Sequence, residues 1–147
     1  MKYPRARVLV MSKAPVPGKV KTRLIPVLGA EAAASCYRTL LENTLDNICT
    51  ASLCPVELWC APHTQHAFFN HCRDHYPVVL AMQTGGDLGM RMSHAVEQTL
   101  RHAGSVVVIG ADCPTLTPAD IESALKILAD GTDVVLGPAE DGGYYLV

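Results

Sequence analysis

The chain has 147 residues, 49% of them hydrophobic, and a formal net charge of −2. That suits one domain with a real core and excludes overall disorder. A slightly acidic chain is no general nucleic-acid binder, and no apolar run approaches the roughly 20 residues of a membrane span. The cations are nevertheless uneven: Lys2, Arg5, Arg7, Lys13, Lys19, Lys21 and Arg23 are seven of the twelve. None of the six cysteines forms a Cys-x-x-Cys pair, and Met1 to Arg7 is polar and basic rather than a signal peptide. Reduced thiols and a cytoplasmic location are the expectation.

Arg7 to Met11 is a short apolar run that reads as a buried strand. A loop punctuated by Pro15, Pro17 and Gly18 follows. Ala33, Tyr37, Leu40, Leu41, Leu45 and Ile48 recur with helical spacing, which predicts an amphipathic helix from Ala30 to about Cys49. Val56 to Ala61 is a second strand, His63 to His75 a short helix, and Val78 to Gln83 a third strand. Gly85, Gly86 and Asp87 punctuate before a helix from Leu88 to about His102, and Ser105 to Ala111 is the clearest buried strand. Thr117, Pro118 and Asp120 carry helix-start chemistry for a helix reaching about Asp130. Asp133 to Gly137 and Gly143 to Val147 are the last two expected strands. The second stops inside an apolar run, so the 147-residue domain is expected to lack a C-terminal segment or to have that edge covered by a partner, such as a second copy.

Strands alternating with helices imply an α/β fold, with a mostly parallel sheet covered on both faces. Ligands then sit at the carboxyl ends of the strands, where the loops after Met11, Gln83, Ala111 and Gly137 should share one rim. The first of these loops holds Lys13, Gly18, Lys19, Lys21 and Arg23 between a strand and a helix. Prolines restrict it, Gly18 frees the backbone, and the cations suit phosphate, although a solvated basic loop has the same composition. It is neither a Walker A loop nor Gly-x-Gly-x-x-Gly. Asp112, directly after the strongest strand, suits a hard cation bridging diphosphate oxygens, or alternatively caps a turn before Pro114. Asp141, followed by Gly142 and Gly143, reads as a tight turn or as a carboxylate and open backbone beside substrate. Asp87 is an expected helix cap, and Arg91, one turn on, points to the same rim or to solvent.

Together these segments resemble a family. Ser12-Lys-Ala-Pro with Gly18-Lys-x-Lys-Thr-Arg-Leu24, Gln83-x-Gly-x-Asp-Leu-Gly-x-Arg-Met92, Gly110-x-Asp-x-Pro-x-Leu116 and Gly137-Pro-x-x-Asp-Gly-Gly-Tyr144 look like bacterial glycosyltransferase-like proteins once grouped as a domain of unknown function. Some members are described as arsenosugar-type glycosyltransferases. The resemblance implies a GT-A, nucleotide-diphospho-sugar transferase fold, which is Rossmann-like. More distantly the chain is similar to 2-phospholactate guanylyltransferase and molybdenum-cofactor nucleotidyltransferases. It further implies Lys21 and Arg23 on nucleotide phosphates, Asp112 on Mg²⁺ or Mn²⁺, and a further C-terminal segment on the acceptor side. The Asp-x-Asp pair usual in glycosyltransferases is absent, since Cys113 and Pro114 follow Asp112.

The expected activity is metal-dependent transfer from a nucleotide-activated sugar to a small-molecule acceptor, with Asp141 as catalytic carboxylate, Lys13, Gly18, Lys19, Lys21, Arg23 and Arg91 around the nucleotide, and Gly142 and Gly143 toward the acceptor. A nucleotidyltransferase acting on an NTP, or a non-catalytic nucleotide-binding module, are the alternatives. A rival cluster, Cys60, His63, His66, His71, Cys72 and His75, puts metal-ligating side chains within 16 positions, but fits no zinc-binding spacing.

Overall fold

The apolar run near the N-terminus becomes the middle of a sheet. In the computed structural model, residues 1–111 and 116–131 are described, together with the backbone of 137–138 and 144–146. Strand β1 (Ala6–Lys13) pairs in parallel with β2 (Val56–Ala61) on one side and β4 (Ser105–Gly110) on the other, and β3 (Val78–Met82) pairs in parallel with β2. The strand order is β3-β2-β1-β4-β6-β5. Strand β6 (Tyr144–Leu146) runs antiparallel to β4, and β5 (Gly137–Pro138) antiparallel to β6. The sheet is thus mostly parallel, with helices on both faces.

Strand alternation sorts the core into two layers. Val8, Val10, Leu58, Cys60, Val107 and Ile109 pack against α2 (Ala30–Ala51), α3 (Ala67–His75) and α5 (Pro118–Ala129) through Leu41, Leu45, Phe69, Ile121 and Leu125. Leu9, Trp59 and Val108 face the other way and pack on Ala95 of α4 (Leu88–Leu100). Between β1 and α2 lie a single 3-10 turn (Thr22–Leu24) and the short α1 (Ile25–Leu28).

One carboxylate is buried in the α4 layer. Glu57 accepts from Trp59 Nε1 at 3.0 Å, from Thr99 Oγ1 at 3.2 Å and pairs with His102 Nε2 at 3.2 Å, with Arg7 Nε 4.0 Å away. This cluster ties β2 to the far end of α4 and satisfies a carboxylate that burial would otherwise penalise.

The element boundaries differ from expectation for identifiable reasons. Strand β1 continues to Lys13 because its pairing with β2 runs on, Ser12 opposite Cys60 and Lys13 opposite Ala61, and the buried Ser12 hydroxyl donates to Trp59 O at 3.0 Å. The helix expected from His63 starts only at Ala67, because His66 Nδ1 caps it by accepting from Phe68 N at 3.0 Å. The α5 start is as its sequence implies: Thr117 and Asp120 form a reciprocal capping box and Pro118 opens the helix. Of the expected strand Asp133–Gly137, only Gly137 falls among the described residues, and it begins β5.

Candidate functional site

The chain steps outward from β1 through β2 to β3, then crosses back to lay β4 on the other side of β1. Strands β1 and β4 thus lie side by side and parallel, and in such a sheet a ligand crevice forms at the carboxyl ends of the strands. A cleft of about 550 Å³ opens there, and the ends of β1 and β4, residues 19–22, Tyr37, Gln83 and the first turn of α4 line it.

The basic loop is held at both ends. Ala14 N donates to Ala61 O at 2.7 Å, Lys13 N donates to the Tyr37 hydroxyl at 2.8 Å, and Lys19 N donates to Val16 O at 3.0 Å. Ala14 and Val20 are buried, so the exposed stretch between them is a short bridge anchored in the core. Gly18 has φ +87°, yet a Cβ there would meet nothing within 4 Å. The glycine is required by the backbone conformation, not by close approach of another group. Lys21 adopts the left-handed region at φ 50°, ψ 43°, a conformation that costs a non-glycine residue free energy and persists only where the surroundings impose it.

The opposite wall is the start of α4. Asp87 caps it, accepting from Met90 N at 2.8 Å. Gly85 has φ +143°, and a Cβ there would lie 2.9 Å from Arg91 N and 3.0 Å from Met90 C. Its carbonyl accepts from Arg91 Nε at 3.1 Å. That bond fixes the guanidinium at the rim and leaves its two terminal nitrogens as a fork suited to an anion.

Lys13, Lys19, Lys21 and Arg91 all line the cleft. Gly18 and Arg23 belong to the same loop but are not among the lining residues, and Arg23 is exposed. Asp112, Asp141, Gly142 and Gly143 lie outside the described residues, although Asp112 follows directly on Ala111, which lines the cleft. The loops after β1 and β3 and the end of β4, through Ala111, thus share one rim. Among the described residues the cleft's sole carboxylate is Asp87, committed to the helix cap, so the balance of charge is strongly positive.

This chain belongs to the bacterial family DUF2064. The family model, described as an uncharacterized protein conserved in bacteria, matches residues 44–147. No curated protein matches the sequence. The chain is similar to a solved structure from Desulfovibrio desulfuricans G20, provisionally named a nucleotide-diphospho-sugar transferase, with 34% identity, a TM-score of 0.85 and 97% of this chain covered. It spans 62% of that relative's length. Two further structures share the fold at 9% identity and a TM-score of 0.59. The CMP:2-keto-3-deoxy-manno-octonic acid synthetase complexed with CTP is matched over 91% of this chain and 51% of its own. The 4-diphosphocytidyl-2C-methyl-D-erythritol synthase of Anaerococcus prevotii DSM 20548 is matched over 96% and 63%. The DUF2064 chain thus has the nucleotide-diphospho-sugar transferase fold.

The rival His/Cys cluster divides in this fold: the His71 and His75 ring centres lie 4.0 Å apart on α3, away from the buried thiols. Cys60 and Cys72 are buried in the core, and burial pushes both thiols up to about 12. His66 caps α3, His63 Nδ1 accepts from Gln65 N, and His71 Nε2 pairs with Glu42 Oε1 at 2.9 Å. Among the described residues no three His, Cys, Asp or Glu side chains form a metal-binding group. Sequence reading quoted Ser12, Gln83 and Gly85 within its motifs and Tyr37 within a helix, but gave none of them the role of supporting the cleft. Ser12 and Gln83 are polar residues at or just after the ends of buried strands, and that position is the signal that could have shown the role.

Proposed function

We propose that this cleft binds the diphosphate of a nucleotide or nucleotide sugar, and that the protein is a transferase acting on that substrate. The observation that carries the reading is the convergence of Lys13, Lys19, Lys21 and Arg91 at the carboxyl rim of a parallel sheet, around a cleft whose one described carboxylate is already committed. Cations held by a braced loop and a carbonyl-anchored guanidinium offset the charge of a diphosphate and of the anion that leaves when it is cleaved. The described donors supply ammonium, guanidinium and amide groups, not a cage for a bare ion. A Mg²⁺ or Mn²⁺ would accordingly be held by Asp112 together with substrate phosphate oxygens, and would supply further charge neutralisation. Asp141, with Gly142 and Gly143, is the proposed carboxylate and open backbone on the side of a small-molecule acceptor.

Sugar transfer is the leading reading, supported by the family resemblance and by the provisional name of the Desulfovibrio relative. Nucleotidyl transfer is the second, favoured by the shared fold of the CTP-bound synthetase and the diphosphocytidyl synthase. Product analysis separates them: a nucleoside diphosphate released from a sugar nucleotide supports the first, and pyrophosphate released from an NTP supports the second. Binding is tested by melting-temperature shifts with nucleotides and sugar nucleotides, with and without Mg²⁺ or Mn²⁺, since a ligand of the native state must raise the midpoint. The absence of any nucleotide-dependent shift rejects the reading. Asp112→Asn should remove the metal-dependent part of nucleotide affinity and keep the metal-independent part. Identical Mn²⁺ dependence in variant and wild type rejects the metal role.

A further inference from the structure

Helix α2 reaches the ends of two neighbouring strands. On the β4 side of β1 the ladder ends with Met11 opposite Gly110, so Lys13 and Ala111 both lie past its last pair. Lys13 N donates to the Tyr37 hydroxyl at 2.8 Å, and the Thr44 hydroxyl donates to Ala111 O at 3.1 Å. Tyr37 and Thr44 stand two helical turns apart on α2, about 10 Å along its axis. Each supplies the polarity that its strand end needs: an acceptor for an N–H, and a donor for a carbonyl.

The Thr44 contact goes beyond what a helix gives its own threonines. A threonine inside a helix commonly returns its proton to the carbonyl four residues back, and Thr44 does so to Leu40 O at 2.9 Å. It shares that one proton with Ala111 O, 67 positions along the chain. Packing is incomplete on this flank of α2. Thr44 borders a cavity of about 230 Å³ between α2 and the start of α5, lined also by Leu40, Ile48, Leu116 and Ile121. The hydrogen bond is thus a directional restraint where side-chain contact is thin. Ala111 is buried and lines the cleft. Its carbonyl and the nitrogen of Asp112 belong to one planar peptide unit, so holding Ala111 O sets the plane of the link into Asp112.

We infer that Thr44 is a positioning residue for the metal side of the cleft: by holding Ala111 O it aims the peptide that leads into Asp112, as Tyr37 holds Lys13 on the phosphate side. The inference rests on the nucleotide and metal reading above and deepens it. A carboxylate that shares a divalent ion with substrate phosphate must stand at a set distance from the phosphate oxygens, because the ion's coordination geometry is demanding. Loosening the peptide before Asp112 weakens that joint binding. It leaves the direct contacts between phosphate and the lysines in place.

The test separates metal-assisted from metal-free affinity, by calorimetry on the 147-residue chain at fixed salt. ADP, GDP, CDP and UDP are titrated into wild type, and the tightest is measured with and without Mn²⁺. The ratio of the two dissociation constants is the metal enhancement. Thr44→Val keeps the branched shape and removes the hydroxyl. In the folded variant, checked by its melting curve, the enhancement should fall at least about threefold, with metal-free affinity changed by less than about twofold. Thr44→Ser keeps the hydroxyl and should keep the enhancement, whatever the lost methyl does to the melting temperature. Thr44→Ala is the hydroxyl-free variant to use if Thr44→Val does not fold. Tyr37→Phe acts at Lys13, so it should weaken metal-free affinity and leave the enhancement as in wild type. An unchanged enhancement in the folded hydroxyl-free variant, an equal fall in Thr44→Ser, or an equal fall in Tyr37→Phe overturns the inference. No enhancement in wild type overturns it together with the metal role of Asp112, and leaves the nucleotide reading standing. If none of the four diphosphates binds, the nucleotide reading falls and this inference with it.

Discussion

Helix α4 carries polar chemistry near both of its ends, and the fold handles the two ends in opposite ways. Near the C-terminal end, Glu57 is enclosed by Trp59, Thr99, His102 and Arg7, so one carboxylate meets several donors from its own chain. At the N-terminal end, Arg91 faces a cleft shared with Lys13, Lys19 and Lys21, whose one described carboxylate is taken by the helix cap. A polar group kept for structure is saturated internally, since burying it otherwise costs free energy. A group kept for a ligand retains capacity and is oriented by only part of its hydrogen-bonding set, as Arg91 is by Gly85 O. The contrast predicts that changes at the Glu57 end lower stability and changes at the cleft lower affinity.

The largest effect should come from the saturated end. Glu57→Ala leaves the Trp59 and Thr99 donors without their acceptor and should destabilise the protein by about 3 kcal/mol. Urea unfolding measures this, and a loss below about 1 kcal/mol would break the contrast. At the other end, Lys19→Ala combined with Lys21→Ala should cost about 3 kcal/mol of nucleoside diphosphate affinity, roughly a hundredfold. The midpoint of thermal unfolding should move little, because Lys19 is exposed and relief of the left-handed Lys21 backbone is not available to alanine either. Arg23→Ala, off the lining of the cleft, is the matched control and should bind nearly as wild type. Equal losses in the Arg23 variant and the double variant would misplace the phosphate site.

Much of the fold was legible because its cause is local. Buried strands such as Val107 to Ile109 and helical periodicity such as Leu41 to Leu45 follow directly from where apolar side chains must go. The antiparallel placement of β6 was not legible, since a three-residue strand carries no mark of its partner. Lys13, Lys19, Lys21 and Arg91 could be nominated because cations after a strand are conspicuous. Arg23 could not be told from Lys21 by composition: both are basic and two residues apart, and only the 3-10 turn that starts between them sends one to the cleft and the other to solvent. Gln83 and Tyr37 escaped for a different reason. Each acts through backbone groups brought close by folding, Ser12 O and Trp59 O for one and Lys13 N for the other, and those partners are distant in sequence.

The joint between the two ends is sharpened by Gly85→Ala. A Cβ would sit 2.9 Å from Arg91 N on a backbone at φ +143°, so either the helix start or the loop must shift. Destabilisation of about 2 kcal/mol is expected. Because the Gly85 carbonyl also orients Arg91, diphosphate affinity should fall in the same variant. Gly85→Ala should therefore move both readouts, where Glu57→Ala moves mainly stability and the lysine pair mainly affinity. A loss of stability with affinity untouched would mean that the carbonyl anchor does not matter to the ligand.

The smallest expected effect is the most discriminating, because its two parts have opposite signs. Asp87 does two things: its Oδ1 accepts from Met90 N, and its charge lies among the cations of the cleft. Asp87→Ala removes the cap and should cost about 1 kcal/mol of stability. It also removes the one described negative charge from the lining, which should strengthen diphosphate binding severalfold at low ionic strength. Asp87→Ser restores a capping oxygen without the charge, so it should recover most of the stability and keep the gain in affinity. The gain is electrostatic between exposed groups and should shrink as salt is raised toward 1 M, where the screening length falls to about 3 Å. If Asp87→Ala loses stability and affinity together at every salt concentration, Asp87 serves the ligand directly, and the division of α4 into a structural end and a binding end with only cationic recognition is wrong.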